Sequence, residues 1–342
     1  MTKRILITGG AGFIGTNAAL YFLKKGWYVD ILDNFSRHGS KQNARMLEKQ
    51  YKNRLAVRTL DIRFDFSSLV QAVKRKDVIL HLGGQVAVTK SVENPRDDFE
   101  HNALGTLNML EAARLSDDKP IFIYSSSNKV YGDLNKRKIL EKKTRYAFAD
   151  LPYGVSEEMN LDFHSPYGCS KGAGDQYVRD YCRIYNLPTV VFRQSCIYGQ
   201  YQYGREDQGW LAWFMIAVSQ GKPTNIFGKG KQVRDILHVD DLISAYDLAI
   251  GNIKKTKGEI YNIGGGNKNT ISVWMEFKPQ LERLFHKQIS ATFYPARPGD
   301  QKIYVSDIRK SKDDFNWEPM ISVNHGLKLL HEWVKSNDKN FL

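Results

Sequence analysis

Short apolar runs alternate with helical patterns along the first half of the chain. Six runs of strand length are each followed by a stretch with the hydrophobic spacing of an amphipathic helix. They cover residues 4–8, 28–33, 55–60, 78–82, 120–125 and 189–193. Strands that alternate with helices in this way form a parallel sheet, wound right-handed and covered on both faces. The pattern therefore predicts an α/β fold with a doubly wound parallel sheet.

The pattern loosens after Arg193, where Gly, Gln and Tyr dominate residues 198–204. Beyond this point the sequence predicts a helix over 210–220, a loop over 228–235, a helix over 238–250, a short strand over 259–263 and a C-terminal helix near 326–335. We therefore predict two domains. The larger comprises residues 1–193 and 234–263, and the smaller, a C-terminal substrate-binding domain, comprises residues 194–233 and 264–342.

Composition and charge exclude several classes of protein. The chain of 342 residues is 42% hydrophobic and 25% charged, which is an ordinary globular balance. It has no apolar stretch long enough for a signal or membrane helix, so we expect a cytoplasmic protein with no membrane partner. Its three cysteines lack the pair spacing of a metal site or a disulfide framework, so no metal is predicted. The net charge of +13 comes from scattered Lys and Arg, and we expect no nucleic-acid partner.

A glycine-rich turn directly follows the first predicted strand. Gly10, Gly12 and Gly15 spell the G-x-G-x-x-G fingerprint of dinucleotide binding, and Gly9 gives a variant of it with two-residue gaps. Glycine is needed because the strand turns at once and the backbone must approach a pyrophosphate, which the N-terminus of the next helix attracts. The position between a strand and a helix predicts a Rossmann domain. A phosphate-binding loop of the ATPase type is excluded, because no Lys-Ser or Lys-Thr pair follows the glycines.

Asp33 ends the second predicted strand, in the position that discriminates between the two nicotinamide dinucleotides. A carboxylate there accepts hydrogen bonds from the ribose hydroxyls of NAD and repels the 2′-phosphate of NADP. Arg37, which follows closely, leaves NADP open. The sequence thus favours NAD as the cofactor.

Tyr167 and Lys171 are four residues apart, so on a helix they share a face. An ammonium group beside the phenol, together with a charged nicotinamide, would lower the pKa of the tyrosine and let it act as a base. Tyr21 and Lys25 have the same spacing. Only Tyr167 follows a strand whose end carries serines, at residues 125–127, on the sheet edge where α/β proteins bind ligands. We therefore select Tyr167 and Lys171 as the catalytic pair.

These motifs, with Val-Arg-Asp at 233–235 and Arg-Pro-Gly-Asp at 297–300, resemble the extended short-chain dehydrogenase/reductase family. The resemblance covers essentially the whole chain. Because the family includes nucleotide-sugar epimerases and dehydratases, it implies an NAD-dependent enzyme that acts on an activated sugar. It also implies a homodimer formed through the helices near residues 102–115 and 167–185.

The resemblance assigns roles by position. Ser127 would bond the sugar hydroxyl, Tyr167 would be the acid/base, and Lys171 would support both the tyrosine and the cofactor. The cofactor site would comprise, besides Tyr167 and Lys171, residues Gly9, Gly12, Phe13, Ile14, Gly15, Asp33, Asn34, Ser36, Arg37, Asp61, Ile62, Leu82, Gly83 and Gly84. The substrate site would comprise Gln85, Ser127, Asn128, Lys129, His164, Cys196, Arg234, Arg297 and Asp300. Arg234 and Arg297 would clamp the diphosphate, since forked guanidinium groups suit it.

The residues after Ser127 narrow the reaction. Members of the family begin by moving hydride from a sugar carbon to NAD, and its dehydratases carry an Asp-Glu pair directly after the serine or threonine. Asn128 and Lys129 stand at those positions, so we expect no dehydration. The simplest remaining reaction returns hydride to the other face of the transient ketone. It yields an epimer without net redox change.

Segments 127–133, 161–172 and 207–210 resemble the branch of the family that inverts C2 of CDP-linked sugars. That resemblance implies a CDP-hexose substrate and a 2-keto intermediate. A UDP-sugar 4-epimerase and a net dehydrogenase remain alternatives. So does a non-catalytic Rossmann protein that senses NAD, although the intact Ser127, Tyr167 and Lys171 argue against it.

Several polar residues near the predicted site allow two interpretations. Lys129 either holds a sugar oxygen in the pocket or is a solvated loop lysine. His164 either bonds the sugar or is structural, and Gln85 contacts the substrate or the nicotinamide. Cys169 and Cys196 are interpreted as packing residues, because no His/Asp arrangement accompanies them.

Overall fold

The computed structural model of the protein describes residues 2–297 and 300–341. Pro298 and Gly299 of the Arg-Pro-Gly-Asp segment lie outside the described residues. The strands, β1 to β15 in chain order, are Arg4–Thr8, Tyr28–Asp33, Leu55–Thr59, Val78–His81, Ile121–Ser127, Ile139–Glu141, Tyr146–Phe148, Thr189–Gln194, Cys196–Tyr198, Asn225–Phe227, Val233–His238, Ile260–Ile263, Thr270–Ser272, Thr292–Tyr294 and Ile303–Tyr304.

The helices, α1 to α13 in chain order, are Phe13–Lys24, Ser40–Gln50, Phe66–Val73, Val88–Glu93, Pro95–Phe99, Gly105–Arg114, Ser165–Tyr185, Trp210–Ser219, Val239–Gly251, Ile253–Thr256, Phe277–Phe285, Arg309–Phe315 and Val323–Ser336. A π-helical turn, Glu100–Leu104, joins α5 to α6. Short 3₁₀ turns cover Asn128–Tyr131, Asn267–Asn269 and Asp338–Phe341. No helix in the described part of the chain is long and apolar enough to cross a membrane.

Seven strands form one parallel sheet in the order β12-β8-β5-β4-β1-β2-β3. They include all six strands predicted in the first half of the chain and the short strand predicted near residue 260. The doubly wound α/β prediction is therefore confirmed. The strand order reverses at β1, whose neighbours are β2 and β4. At such a reversal the carboxyl ends of the strands leave a crevice in which ligands bind.

Alternate side chains of the sheet pack against helices on its two faces. Ile5 and Ile7 of β1 belong to a core with residues of α1, α2 and α9. Leu6 points the other way and packs with residues of α3, α6 and α7. This alternation follows from the two-residue period of a strand. Because each buried Leu or Ile stabilises the fold by about 1.5–3 kcal/mol, the two layers hold the sheet edge firmly.

A second group of elements covers the carboxyl edge of the sheet. Helices α8, α11 and α13 share a core in which Met215, Phe277 and Leu330 are fully buried. Beside this core, β11 pairs in parallel with β9 and β15 and antiparallel with β13. These elements supply the wall that faces the sheet edge.

The loop predicted over residues 228–235 is partly wrong, because Val233–His238 is a strand. The strand pairs with β9, β13 and β15, and the domain boundary predicted at residue 234 stays a prediction. All six of its residues are buried, including the charged Arg234 and Asp235. Two charges in six residues hide the apolar signature by which a buried strand is recognised. Of the later elements, α9 packs against the core of the large sheet, and β12 pairs with β8 at its edge.

Candidate active site

A cavity of about 850 Å³ lies between the carboxyl edge of the sheet and the second group of elements. Its volume falls in the range of ligand-binding cavities. The predicted site residues that line it are Gly9, Gly12, Phe13, Ile14, Gly15, Asp33, Asn34, Ser36, Arg37, Ile62, Leu82, Gly83, Gly84, Gln85, Ser127, Lys129, Tyr167, Lys171, Cys196, Arg234, Arg297 and Asp300. The structure thus brings the predicted cofactor and substrate residues to one place. Asp61, Asn128 and His164 are not in its lining.

The glycine turn has the shape that a dinucleotide needs. Gly12 precedes α1 in an extended conformation, and no side chain caps the helix, so its first N–H groups are left for a ligand. Gly9 has a φ of +64°, and a Cβ there would lie 3.0 Å from Cα of Gly83. A Cβ on Gly15 would lie 2.4 Å from the carbonyl oxygen of Gly9. The glycines therefore permit both the turn and the packing of α1 against it.

Asp33 is tied to the glycine turn. Its Oδ2 accepts from the backbone N–H of Ala11 at 3.0 Å, and its Oδ1 accepts from the N–H of Phe35 at 2.8 Å. Burial raises the pKa of Asp33, while these two N–H groups act in the opposite direction. The carboxylate thus lines the cavity from a fixed position at the end of β2, where the sequence predicts a partner for the ribose of NAD.

Arg37 reaches across the cavity to the loop that precedes α8. Its guanidinium donates to Oε1 of Gln208, and burial lowers its pKa while Asp207 opposes that change. Two further contacts accompany this bridge. Asn17 donates to the carbonyl oxygen of Gln200 at 2.9 Å. The ring of Tyr203 lies so close to Gly39 that a Cβ there would be 2.2 Å from it. Residues 200–208, the bridging loop, therefore pack against α1 and the segment before α2, and the contact between Arg37 and Gln208 lies in the lining of the cavity.

Asp61 is held at the margin of the cofactor region. Its carboxylate accepts from Nη2 of Arg63 at 2.9 Å and from Nδ2 of Asn34 at 3.0 Å. Although burial alone would raise the pKa of Asp61, these hydrogen bonds hold it below its usual value. Ile62 and Arg63 line the cavity, so Arg63 is a site residue that the sequence interpretation missed.

Ser127 and Tyr167 meet at the floor of the cavity. Ser127 is the last residue of β5, Tyr167 is in the first turn of α7, and their side chains are hydrogen-bonded. Burial raises the pKa of Tyr167 to about 12, and the charge of Asp98 acts in the same direction. The bond to Ser127 and the guanidinium of Arg37 act in the opposite direction. The phenol is thus protonated at neutral pH and depends on nearby positive charge to become a base.

Lys171 lies one turn after Tyr167 on α7 and is buried. Its Nζ donates to the carbonyl oxygen of Ser125. Burial lowers the pKa of Lys171 to about 8, while Asp98 and Asp175 oppose that change. The ammonium of Lys171 therefore lies next to the backbone of β5, and its predicted effect on the pKa of Tyr167 in the presence of a nicotinamide stays a prediction.

Lys129 is directed into the cavity from the turn that follows β5. Its backbone N–H donates to Oγ of Ser127 at 3.2 Å. Burial lowers the pKa of Lys129 to about 8, the charge of Arg234 lowers it further, and Asp300 opposes the change. Lys129 is half-buried and lines the cavity, which favours the interpretation as a pocket residue over that as a solvated loop lysine. Cys196 lies on the same wall, and burial raises the pKa of its thiol, which disfavours a nucleophilic thiolate.

Two arginines line the part of the cavity formed by the second group of elements. Arg234 is 7% exposed, and its Nη2 donates to Oδ1 of Asp300 at 2.7 Å. The guanidinium carbon of Arg297 lies 3.7 Å from the ring centroid of Phe227. Arg297 also donates to the carbonyl oxygen of Glu206 at 3.3 Å. Two permanent cations on one wall suit a ligand that carries two negative charges.

Three predicted substrate residues have other surroundings. His164 is exposed and precedes α7, outside the lining of the cavity. Asn128 is buried, but it is not part of the lining of the cavity. Gln85 lines the cavity, but its amide nitrogen donates to the carbonyl oxygen of Ala87 at 2.7 Å and to Oδ1 of Asp98 at 2.9 Å. Its oxygen accepts from the N–H of Ala87, so the amide of Gln85 is already bonded within the protein.

The sequence interpretation missed an aromatic wall of the cavity. Trp210, Trp213, Phe214 and Phe227 line it from α8 and β10. The residues of α8 read as an all-round apolar helix, so periodicity gave no sign of which side faces a ligand. The glycine directly before this helix, Gly209, was the available signal, because glycine is the usual residue where the backbone turns sharply or approaches a ligand closely. In the structure Gly209 has a left-handed conformation.

The geometry agrees with the relationships of the chain to known proteins. A family model described as GDP-mannose 4,6 dehydratase matches residues 6–330. The chain belongs to this family. It is a branch of the extended short-chain dehydrogenases/reductases, so the resemblance seen in the sequence is confirmed. The family's description names one activity among several, and its relatives include epimerases as well as dehydratases.

Three members of the family illustrate its range. The CDP-paratose 2-epimerase of Salmonella typhi is 43% identical over 338 residues, which cover 97% of this chain and 99% of that protein. The solved UDP-glucose 4-epimerase of Thermotoga maritima, with UDP-glucose, has a TM-score of 0.83 at 29% identity and covers 98% of this chain and 99% of its own. The UDP-glucuronic acid 4-epimerase of Bacillus cereus, with UDP-glucuronic acid and NAD, has a TM-score of 0.82 at 29% identity, with coverages of 97% and 99%.

Proposed function

We propose that the protein is an NAD-dependent epimerase that inverts C2 of a CDP-linked sugar, as in the conversion of CDP-paratose to CDP-tyvelose. The observation that carries this proposal is Lys129 in the wall of the cavity beside Ser127 and Tyr167, where dehydratases of the family place a carboxylate. The 43% identity to a CDP-paratose 2-epimerase over nearly the full length of both chains supports the same activity. The alternative is inversion at C4 of a UDP-sugar, the activity named for the two solved relatives.

The residues of the cavity divide the chemistry among them. NAD fits the glycine turn and Asp33, and when bound it supplies the acceptor and donor of hydride. Tyr167 takes the proton of the C2 hydroxyl at its Oη and later returns it, while Ser127 Oγ bonds the same oxygen. The C–H and O–H bonds broken in the first half of the reaction are formed again in the second. Substrate and product therefore have the same oxidation state.

Lys129 would stabilise the sugar oxygen as it gains negative charge. Its ammonium lies on the same wall as Arg234 and is protonated below a pH of about 8. We expect Lys129→Met to lower kcat/KM about 10²-fold, since removal of one such donor has an effect of this size. Steady-state kinetics and the NAD content of the purified variant test this. Lys143→Met, which removes an exposed lysine of a loop, is the matched control. An unchanged kcat/KM in Lys129→Met would contradict the role.

Arg234 is expected to hold the diphosphate of the substrate. We expect Arg234→Met to weaken substrate binding by about 2–3 kcal/mol, as for the loss of a charge-assisted hydrogen bond, and to leave NAD retention unchanged. Calorimetric titration with the nucleoside diphosphate, next to a measurement of bound NAD, separates the two. Equal losses of both ligands would contradict the assignment.

One assay distinguishes the candidate reactions. The protein is incubated with CDP- and UDP-linked glucose and paratose, without added NAD, and the products are identified by NMR. Inversion at C2 of a CDP-sugar is the expected result. Inversion at C4 of a UDP-sugar overturns the proposal in favour of the alternative, and no turnover favours a non-catalytic protein. In deuterated water we expect no deuterium at the inverted carbon, because hydride returns directly, whereas deuterium there would indicate proton abstraction.

Exposed apolar side chains support the predicted homodimer. Val92 on α4 is 59% exposed, Phe99 on α5 is 56% exposed, and Ile184 on α7 is 65% exposed. Of these, Ile184 lies on a helix of the predicted interface, and Val92 and Phe99 lie on helices that pack against that helix. Light scattering should give the mass of two chains, and Ile184→Glu should shift it towards one. The cytoplasm stays the predicted compartment.

A further inference from the structure

A buried carboxylate, Asp98, lies behind the catalytic turn of α7 and has no part in the reaction as described so far. It belongs to α5 and is 1% exposed. It accepts hydrogen bonds from Oγ of Ser170, from Nε2 of Gln85 at 2.9 Å and from Nδ2 of Asn102 at 3.1 Å. A carboxylate is buried only at a large cost unless donors surround it. These donors hold its charge next to the active site.

Ser170 connects Asp98 to the catalytic pair. It lies between Tyr167 and Lys171 on α7, and its Oγ is 3.2 Å from the carbonyl oxygen of Tyr167. The same hydroxyl contacts Asp98 and accepts from Asn102 Nδ2 at 3.1 Å. Asp98 lies just before the π-helical turn, and Asn102 lies within it. Such turns often occur at functional sites. These hydrogen bonds connect the first turn of α7 to α5 and to the π-helical turn.

The charge of Asp98 acts on both catalytic side chains. It raises the pKa of Tyr167, on which Arg37 acts in the opposite direction. It also raises the pKa of Lys171, as Asp175 does. The charges that act on Asp98 itself are those of Lys171 and His101. Burial raises the pKa of Asp98, and the hydrogen bonds from Ser170 and Gln85 oppose this.

We propose that Asp98 is a positioning residue, which orients the Tyr167–Lys171 turn through Ser170 and holds its negative charge opposite the Lys171 ammonium. The inference rests on the proposed function only in that Tyr167 and Lys171 form the acid/base pair. It does not depend on which carbon is inverted or which nucleotide carries the sugar. Gln85, in this arrangement, serves the site through Asp98.

Asp98→Asn keeps the shape of the side chain and removes its charge. A carboxylate opposes ionisation of a phenol and favours an ammonium, so its removal lowers the pKa of both Tyr167 and Lys171. We expect kcat to fall about 10-fold or more with KM nearly unchanged, and the whole pH profile to move about one unit to lower pH. The substrate is whichever CDP- or UDP-linked sugar the wild type converts, so a different carrier or carbon does not affect this test.

Matched variants separate the charge from the fold. Asp180→Asn, an exposed carboxylate on α7, should leave the kinetics and pH profile of the wild type. Ser170→Ala removes the link, while Gln85 and Asn102 still donate to the Asp98 carboxylate, so kcat should fall while the pH profile stays in place. The double variant should lose less than the sum of the two single losses, because the two residues act through one contact. A pH profile of Asp98→Asn that coincides with that of the wild type would overturn the proposal.

A measurement without turnover keeps the inference independent of the proposed reaction. NMR of the protein with isotope-labelled tyrosine, assigned with Tyr167→Phe, reports the ionisation of Tyr167 directly. We expect the pKa of Tyr167 to fall in Asp98→Asn and in no other single variant of this series. If the wild type converts no sugar but this shift is found, the proposed function fails and the role of Asp98 stands. A Tyr167 pKa that does not respond to Asp98→Asn refutes the role even in an active enzyme.

Discussion

Tyr167→Phe should lower kcat about 10³-fold, within the range expected for loss of an acid/base group. The ring remains, and since Tyr167 is buried to 8% exposure its packing in the first turn of α7 should be preserved. What is lost is the Oη that bonds Ser127 and exchanges the proton of the sugar hydroxyl. Single-turnover and steady-state rates with the substrate, together with the thermal midpoint and the NAD content, measure the effect.

The chain supplies its own control for this substitution. Tyr21 on α1 and Lys25 directly after it have the same spacing, but both contact Asp247 of α9, outside the lining of the cavity. Tyr21→Phe should leave kcat and KM unchanged. A residual rate in Tyr167→Phe close to that of Tyr21→Phe would remove Tyr167 from the mechanism, whatever the carbon inverted.

Gly15→Ala should abolish NAD retention and destabilise the fold by about 1–3 kcal/mol, the usual effect of overpacking. The added Cβ would lie 2.4 Å from the carbonyl oxygen of Gly9 and 2.5 Å from Cα of Gly10. Backbone cannot yield as a flexible side chain does, so the turn must open and α1 must shift. Urea unfolding gives the free energy of unfolding, and ultraviolet analysis of the acid-released cofactor gives the retention of NAD.

Gly251→Ala is the corresponding control for a helical glycine. Gly251 ends α9, and no atom lies within 4 Å of the position of its Cβ. Alanine there should be neutral or slightly stabilising, because it lowers the entropy of the unfolded chain. If Gly15→Ala binds NAD as well as Gly251→Ala does, the glycine turn is not what holds the cofactor.

Local pattern determined what the sequence could predict. The strands of the first half and the glycine turn were found because each is encoded in adjacent residues, by apolar runs or by the need for small side chains. The β11 strand was missed because Arg234 and Asp235 find their partners elsewhere in the chain. The same reason hid Asp98, whose donors Gln85 and Ser170 lie 13 and 72 residues away. Hydrogen bonds between polar residues that are far apart in the chain produce no periodic pattern in the sequence, so they cannot be predicted from it.

The directions of side chains are harder to predict from the sequence than their positions. Lys171 lies one turn after Tyr167 as expected, yet its ammonium is directed to the carbonyl of Ser125. The direction of a flexible side chain is set by neighbours from other elements, and spacing along a helix cannot specify them. For the same reason the sequence left the two interpretations of Lys129 open, and its place in the lining of the cavity favours the first of them.

The position of the bridging loop has a consequence for the exchange of NAD between the cavity and the surroundings. Asn17 with Gln200, and Arg37 with Gln208, hold the bridging loop against the cofactor side of the cavity, so we expect exchange of a bound NAD to require these contacts to open. An epimerisation restores its cofactor at every cycle and needs no exchange. We therefore expect an epimerase of this kind to keep one NAD through many turnovers, at a rate that does not depend on the NAD/NADH ratio of its surroundings. An enzyme molecule that releases the keto-sugar before the hydride is returned would keep NADH in its cavity. It would then stay inactive until the bridging loop opens and the cofactor is exchanged.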